Sequence, residues 1–428
     1  ELSTGLGVSV EEFTLKMRRA ESRNFVYLRR RAKPSEADTI LSLGLPGVYG
    51  EKEYHRFYPG GEIAAHVVGF TNIDDVGQEG IELSFDDWLS GKPGKKKVLK
   101  NLYGEIVRDI MPVAEAVPGR NLRLSIDQRL QFLAYRELKS AISQYEAISG
   151  SFVLLDVQTG EVLAMANQPS YNPNNRIQLD LSTVRNRAVT DVFEPGSTVK
   201  PFTVAVALES GLDMGYVIDT SPGFLRIDDA VIKDPRNRGV LDLGGILAHS
   251  SQVGISRLAL SLNEYDIWKQ FQTLGFGEVT GVGFPGESSG FLPNRRRWKD
   301  IERVTFAYGY GLTVTPLQLA SAYSTIASGG IKREVTLIAD QVSEGERVMN
   351  ARIALQLQSM LGRVITEGTG RKAAIESYDV GGKTGTARKI GENGYDDTRH
   401  IAFFAGFAPQ HSPRFVGVVL INEPKTEQ

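Results

Sequence analysis

The stretch Asp191-Val-Phe-Glu-Pro-Gly-Ser197-Thr-Val-Lys200-Pro-Phe-Thr203 decides the fold of this 428-residue chain. Its Pro195-Gly196 pair interrupts the preceding structure, and the apolar run that follows predicts a buried helix beginning near Ser197. Because Ser197 and Lys200 are three positions apart, their side chains project from one face of that helix. A nearby amine can take the serine proton, and the helix dipole favours negative charge on the oxygen. The stretch therefore predicts a serine nucleophile that needs no histidine.

The composition narrows the chemistry open to the chain. A hydrophobic fraction of 41% and a charged fraction of 23% are ordinary for a globular protein, and the length allows two or three domains. The sequence has no cysteine, which excludes disulfides, thiol catalysis and cysteine-ligated metals. None of the five histidines forms a His-x-x-x-His or His-Glu-x-x-His pair, so we expect no metal and no cofactor. The formal net charge of −2 gives no reason to expect a nucleic-acid partner.

The first 120 residues or so carry no visible catalytic set and are interpreted as a platform or interaction module. Residues 8–13 predict a capped helix start, residues 25–28 a strand, and residues 48–71 a strand, a turn and a helix. Residues 121–126 predict another strand, after which Asp127 caps a long amphipathic helix.

The remaining strand signals lie far apart along the chain. Residues 151–157 and 161–166 flank Gln158-Thr-Gly160 and predict a hairpin, and three further strands are predicted at 378–387, 400–408 and 414–421. Helical segments fill the interval between them. We therefore predict an α/β (α+β) fold in which helices flank one five-stranded antiparallel sheet. The predicted domains are 1–122, non-catalytic, and 123–428, catalytic.

The first of the three late strands carries Gly382-Lys383-Thr384-Gly385-Thr386-Ala387. A lysine on such a strand brings positive charge close to a ligand, and Gly385 is expected to leave room for the ligand to approach. The glycine spacing that a Walker A motif requires before its lysine is absent. The stretch therefore does not indicate a nucleotide site.

Taken in chain order, three short motifs resemble the ordered set of the penicillin-binding and serine β-lactamase superfamily. They are Ser197-x-x-Lys200, Ser250-x-Gln252 and Lys383-Thr-Gly385. The chain also resembles, more closely, the division-specific class B penicillin-binding proteins of Gram-negative bacteria. The stretches that carry this resemblance are 56–59, 69–71, 79–82, 170–175, 185–201, 297–302, 308–312 and 315–319.

Two features depart from that family. Gln252 stands where the family usually has asparagine, which moves the side-chain amide one methylene outward. The sequence also stops soon after the strand that ends near Ile421, where the family continues into a helix covering the sheet. That helix is expected either to be missing from this sequence or to be replaced by another element.

The resemblance implies D,D-transpeptidation of peptidoglycan stem peptides. Ser197 would attack the carbonyl of the penultimate D-Ala and form an acyl-enzyme, with its backbone N–H in an oxyanion hole. Lys200 would accept the serine proton, provided that burial and the charge of Lys383 lower its pKa. Ser250 would relay protons, and Lys383 would hold this network electrostatically. Substrate binding is implied for Gln252, Thr384, Gly385 and Thr386, with both threonines on the terminal carboxylate and the Thr386 N–H in the oxyanion hole.

The resemblance also implies partners and a location. The substrates would be stem peptides on nascent, lipid-linked glycan, and β-lactams would react covalently with Ser197. A membrane glycosyltransferase and other division proteins would be partners, met in part through the 1–122 pedestal or dimerisation domain. The chain begins at Glu1 and has no apolar run of about twenty residues. We interpret it as a fragment of a single-pass inner-membrane protein whose catalytic domain lies in the periplasm.

Three alternatives stay open on the sequence. A D,D-carboxypeptidase differs only in the acceptor, and acceptor-site shape is not visible in a sequence. A serine β-lactamase needs a group that activates water, and no glutamate occurs in the Glu-x-x-x-Asn context of class A enzymes. A weakly catalytic scaffold or β-lactam sensor of the division machinery is compatible with the Gln252 departure.

Overall fold

The computed structural model describes residues 2–102, 106–391 and 394–425. Across these ranges, every helix is too short or too polar to cross a membrane. The chain forms two compact units, residues 1–59 and 60–428. The functional division at residues 122 and 123 stays a prediction.

The first unit contains three helices, α1 (Leu2–Leu6), α2 (Val10–Arg19) and α3 (Pro34–Leu41). Ser9 caps α2 by accepting a hydrogen bond from the Glu12 N–H at 3.1 Å, which confirms the helix start predicted at 8–13. The strand predicted at 25–28 is wrong, because no described segment pairs with these irregular residues. Phe25 instead packs edge-on against Tyr27, with both rings largely exposed.

The second unit begins with α4, the helix predicted within 48–71, although the strand predicted before it is absent. Its early elements are α4 (Gly61–Val68), β1 (Phe70–Thr71), β2 (Gly77–Glu79), α5 (Gly80–Ser84), α6 (Asp86–Leu89), β3 (Lys95–Lys100) and β4 (Ile106–Ala114). Val67 and Ile81 from this segment are buried in the main hydrophobic core. The segment therefore belongs physically to the second unit.

Asp127 caps α7 (Gln128–Gln144) by accepting from the N–H groups of Arg129 and Leu130 at 2.8 and 3.3 Å, as predicted. The strand predicted at 121–126 is wrong. Only Leu124 forms a bridge, to Ile338, because the segment it meets is itself irregular and offers no longer ladder.

Short helices and strands follow between the two halves of the main sheet. Their bounds are β5 (Ser149–Asp156), β6 (Val162–Gln168), α8 (Arg187–Thr190), α9 (Lys200–Glu209), β7 (Val217–Asp219), β8 (Phe224–Ile227), β9 (Ala230–Lys233), β10 (Val240–Asp242), α10 (Leu243–Ala248), α11 (Gln252–Ser261), α12 (Glu264–Thr273), α13 (Asp300–Ala307), α14 (Pro316–Ala327), β11 (Ile331–Lys332), β12 (Glu346–Arg347), α15 (Ala351–Thr366), β13 (Gly381–Gly391), β14 (Gly394–Ala408) and β15 (Phe415–Asn422). Three 3-10 turns lie at Leu181–Thr183, Gly196–Val199 and Arg371–Ala373.

The main sheet has five antiparallel strands in the order β13-β14-β15-β5-β6, which confirms the predicted sheet and its hairpin. Val153 and Leu155 of β5 face the main core, where α14 and α15 cover the sheet. Phe152 points to the other face, toward Tyr135 and Leu138 of α7. Because β13 is an edge strand, one side of its backbone is left facing the Gly196–Val199 turn.

Candidate active site

Ser197 lies in the 3-10 turn Gly196–Val199, which leads directly into α9. The α-helix thus begins three residues later than the sequence predicts, with Pro201 in its first turn. Ser197 is half-buried, and its Oγ forms no hydrogen bond with any residue that the structure describes. No described side chain therefore competes for this hydroxyl.

The turn is fixed by a close backbone contact with the loop after α13. The Gly196 N–H donates to the Gly309 carbonyl at 3.0 Å. Gly309 has φ +93°, and a Cβ there would lie 2.2 Å from the Gly196 oxygen. Only glycine permits this approach. Just upstream, Phe193 and Val314 exchange backbone hydrogen bonds at 3.0 and 2.9 Å, which fixes the entry to the turn.

The α9 helix is buried from Lys200 through Leu208, so Lys200 reaches the cleft from inside the core. Its Nζ donates to the Ser250 carbonyl at 2.6 Å, to Ser250 Oγ at 3.2 Å and to the Ser251 carbonyl at 3.4 Å. The second predicted motif therefore meets the first through direct hydrogen bonds.

Both lysines of the site have lowered pKa values. Burial, and then the charge of Lys383, hold the pKa of Lys200 well below its usual range, while Asp234 acts in the opposite direction. Burial lowers the pKa of Lys383 to about 7. Lys383 donates to the Thr384 carbonyl at 3.1 Å. A neutral amine, which can accept a proton, is thus favoured at Lys200.

Ser250 adopts a strained backbone conformation at the end of α10. Its φ is +54°, a left-handed value usually found at glycine, and it costs about 1–2 kcal/mol for other residues. The Ser250 and Ser251 N–H groups return to the carbonyls of Leu247 and Ile246 at 3.2 and 3.0 Å. This tight turn directs the Ser250 carbonyl and hydroxyl together at Lys200.

Gln252 is the first residue of α11, and its side-chain amide forms no hydrogen bond with the described residues. A bond from this amide to Lys200 is therefore absent. The Gln252 N–H instead donates to Asp234, which lies 18 positions upstream, at 2.6 Å. Asp234 is not among the predicted site residues, since a lone acidic residue in an irregular stretch carries no motif signal.

On β13, Lys383 and Gly385 alternate with Thr384 and Thr386. Thr386 is exposed, and Thr384 shares a hydrogen bond with the hydroxyl of Thr369 at 2.8 Å. A Cβ at Gly385 would lie 2.0 Å from the Phe403 ring on β14. The expectation that Gly385 leaves room for a ligand is therefore wrong, because the Phe403 ring already fills the volume that a side chain at residue 385 would take.

The edge of β13 comes close to the nucleophile turn. A Cβ at Gly196 would lie 3.5 Å from the Thr386 carbonyl, one residue before Ser197. Lys383 acts electrostatically on Lys200, and Lys200 bonds to Ser250. The structure thus brings all three predicted motifs to one cleft.

The rim of the cleft contains a second carboxylate that is not among the predicted site residues. Glu194 accepts hydrogen bonds from the Gly311 N–H at 2.8 Å and from the Tyr395 hydroxyl at 3.0 Å, and burial raises its pKa. Tyr310 packs edge-on against both Tyr308 and Tyr395 with ring centroids 5.6 Å apart. No pattern within the short 308–311 segment signals contact with the distant β14.

Comparison with known proteins gives consistent matches over the whole chain. Residues 1–124 match the penicillin-binding protein dimerisation domain family, and residues 150–428 match the penicillin binding protein transpeptidase domain family. The chain is 46% identical to the peptidoglycan D,D-transpeptidase FtsI of Escherichia coli K12, over 99% of this chain and 72% of that protein.

Two solved structures extend the comparison. The transpeptidase domain of Burkholderia pseudomallei penicillin-binding protein 3 matches with a TM-score of 0.66 and 38% identity, over 72% of this chain and 90% of that one. Penicillin-binding protein 3 of Mycobacterium tuberculosis matches with a TM-score of 0.79 and 31% identity, over 87% and 85% of the two chains.

Proposed function

The chain belongs to the class B penicillin-binding proteins, and from this premise we propose that it is a peptidoglycan D,D-transpeptidase of septal cell-wall synthesis. It crosslinks stem peptides through an acyl-enzyme at Ser197 and is a target of β-lactam antibiotics. The observation that carries this proposal is the buried Lys200, which bonds to Ser250 and has a lowered pKa, three positions after a serine whose hydroxyl bonds to no described residue.

In the acylation step, Ser197 Oγ attacks the carbonyl carbon of the penultimate D-Ala. Its proton passes to neutral Lys200, which the depressed pKa makes available as a base. The tetrahedral oxyanion is stabilised by the N–H groups of Ser197 and Thr386, and the proximity of β13 to the nucleophile turn supports this pairing. Collapse of the intermediate expels the terminal D-Ala, which takes up a proton relayed through Ser250.

In the second step, the amine of a neighbouring stem peptide attacks the acyl-enzyme. Ser250 and Lys200 accept its proton in turn, and Ser197 leaves with a proton restored. Lys383, buried beside Lys200, holds the electrostatics of this network. Thr384 and Thr386 bind the terminal carboxylate of the substrate, Gly385 contributes its strand backbone, and Gln252 offers its free amide to the substrate peptide.

The division partners and the location belong to the same proposal. Nascent, lipid-linked glycan presents its stem peptides on the periplasmic side of the inner membrane, so the catalytic domain works there beside a membrane glycosyltransferase and other division proteins. Residues 1–122 act as the pedestal, supported by their match to the dimerisation domain family. A single-pass membrane anchor holds the enzyme at its substrate.

The proposal is tested by labelling the protein with a fluorescent penicillin. Wild type should be labelled, and Ser197→Ala should not, because no other hydroxyl replaces Oγ. Ser210→Ala is a matched control at the end of α9, where the hydroxyl donates to the Ala207 carbonyl and to no other described residue. An unlabelled wild type would overturn the proposal in favour of a scaffold.

A second assay separates the two enzymatic alternatives. Wild type is supplied with a stem-peptide donor and an amine acceptor, and the products are resolved by mass. Crosslinked product together with free D-Ala supports transpeptidation. Free D-Ala without any crosslinked product would assign the protein to the D,D-carboxypeptidases.

A further inference from the structure

The carboxylate of Asp234, in the loop after β9, accepts hydrogen bonds from three consecutive residues of the catalytic cleft. Its Oδ2 accepts a hydrogen bond from Ser251 Oγ at 2.5 Å. Its Oδ1 accepts from the Gln252 N–H at 2.6 Å and from the Val253 N–H at 3.2 Å. Because both oxygens are engaged, the carboxylate is bound to the protein and not directed at a ligand.

The carboxylate is itself fixed in place. The Asp234 N–H donates to the Gly223 carbonyl at 3.0 Å, and Ile232, two residues earlier, is buried in the main core. The β8–β9 hairpin and this backbone bond thus hold Asp234 against the start of α11.

The opposite side of the same turn faces Lys200. The Ser250 carbonyl, the Ser250 hydroxyl and the Ser251 carbonyl all accept from Nζ, within 2.6 to 3.4 Å. This arrangement depends on Ser250 staying at φ +54°, a conformation that its own local energy disfavours. Two side chains from outside the turn bond to it: Lys200 on one side and Asp234 on the far side.

We propose that Asp234 is a positioning residue of the acylation step, which holds the Ser250–Gln252 turn so that three oxygens converge on Lys200. Its hydrogen bonds, more than its charge, perform this role, because they end on Ser251, Gln252 and Val253 and not on Lys200. The inference rests on the proposed function and adds to it a residue that none of the three motifs includes.

The test compares Asp234→Ala and Asp234→Asn with the wild type in the rate of acylation by a fluorescent penicillin. The alanine variant should acylate about 10- to 100-fold more slowly, as expected when a reacting group is displaced by about 1 Å. The asparagine variant should recover to within about threefold of wild type. Its amide oxygen can still accept from Gln252 and Val253, although its charge is gone.

Asp127→Ala is the matched control, since Asp127 also caps a helix by accepting from two backbone N–H groups. It should lower the melting temperature about as much as Asp234→Ala while acylation stays at the wild-type rate. If Asp234→Ala does not fold, Ser251→Ala, which removes the bond to Asp234 together with the cap bond from the Gly254 N–H, should still slow acylation by about threefold or more.

Wild-type acylation by Asp234→Ala, or by the folded Ser251→Ala, would overturn the inference and leave the proposed function intact. Equal loss in the asparagine and alanine variants would overturn it too, because charge and not hydrogen bonding would then be responsible. An unreactive wild type would overturn the proposed function and this inference together.

Discussion

Lys200 and Lys383 are both fully buried, a position in which the charged form of an amine loses its hydration. Neither has an ion pair among the described residues, and the like charge of Lys383 adds to burial in lowering the pKa of Lys200. A buried lysine without an ion pair usually lowers the free energy of unfolding. Here the same physics lowers the pKa of Lys200 and so favours the neutral amine that the proposed mechanism needs as a proton acceptor.

The first prediction concerns the pH profile of acylation in Lys383→Met. In the proposed mechanism neutral Lys200 is the base, so acylation should rise with pH as Lys200 loses its proton. Removing the Lys383 charge removes one cause of the low Lys200 pKa, while burial persists. The rising limb of residual acylation should therefore shift to higher pH.

This shift is measured as acylation rate against pH for both proteins. Lys332→Met is the control, because Lys332 donates to the Thr273 carbonyl and lies outside the cleft. A rising limb at the wild-type pH in Lys383→Met would show that the two lysines do not interact.

The second prediction concerns Gln252, whose amide is free in the structure. Gln252→Ala should lower the acylation rate by about 2- to 10-fold, the value of one hydrogen bond to the substrate. Gln252→Asn should keep most of that rate, since it retains the amide. Melting temperatures should not change much, because the backbone N–H that bonds to Asp234 remains in every variant. Acylation of Gln252→Ala at the wild-type rate would exclude the amide from substrate binding.

At the scale of the elements, the nucleophile turn depends on a loop that carries no catalytic side chain. The loop after α13 places Gly309 against Gly196, and Tyr323 of α14 donates to the Thr198 carbonyl at 2.8 Å. Thr203 of α9 donates to the Ala307 carbonyl at 2.7 Å. Three helices therefore determine where Ser197 Oγ lies.

The third prediction uses this loop. Gly309→Ala forces a Cβ to 2.2 Å from the Gly196 oxygen, so the backbone of the nucleophile turn must move. We expect acylation to fall by about 10²-fold and stability to fall by about 1–3 kcal/mol. Both are measured on the same preparations, by penicillin labelling and by urea unfolding.

Gly311→Ala provides the contrast two residues away. Gly311 also has a left-handed φ, +75°, but a Cβ there meets no atom within 4 Å. It should cost about 1–2 kcal/mol of backbone strain and leave acylation nearly unchanged. Similar acylation rates in the two variants would show that the Gly196 contact does not position the nucleophile.

At the scale of the whole molecule, part of the segment before residue 123 is built into the catalytic unit. Gln131 of α7 donates to the Ile63 carbonyl at 2.8 Å, and the Tyr171 hydroxyl donates to the Ala65 carbonyl at 2.9 Å. Family membership assigns this segment to the dimerisation domain, but its packing places it on the sheet and on α7.

The fourth prediction follows from that packing. A fragment of residues 60–428 should fold and acylate within about threefold of the full chain, because its core is complete. A fragment of residues 123–428 loses the buried Val67 and Ile81, each worth about 1.5–3 kcal/mol, and should unfold at a lower urea concentration. Equal midpoints for the two fragments would contradict this account.

The sequence determined the features whose signals lie within a few residues. The hairpin around Gln158-Thr-Gly160, the Asp127 cap and the late strands now seen as β13 and β15 depend on local periodicity and turn chemistry, and the structure contains them all. Ser197, Lys200, Ser250 and Lys383 were visible as short motifs, and the structure brings them to one cleft. Their individual catalytic roles stay predictions.

Only the tertiary structure decided which groups surround those motifs. Asp234 reaches Gln252, Gly309 meets Gly196, and the ring of Phe403 fills the space beside Gly385. The prediction of a strand at 121–126 was wrong for the same reason. Whether a strand forms there depends on the distant segment near residue 338, which offers only a single bridge. Local patterns set backbone preferences over a few residues. Contacts between distant segments depend on how the whole core packs, and no short stretch of sequence encodes that packing.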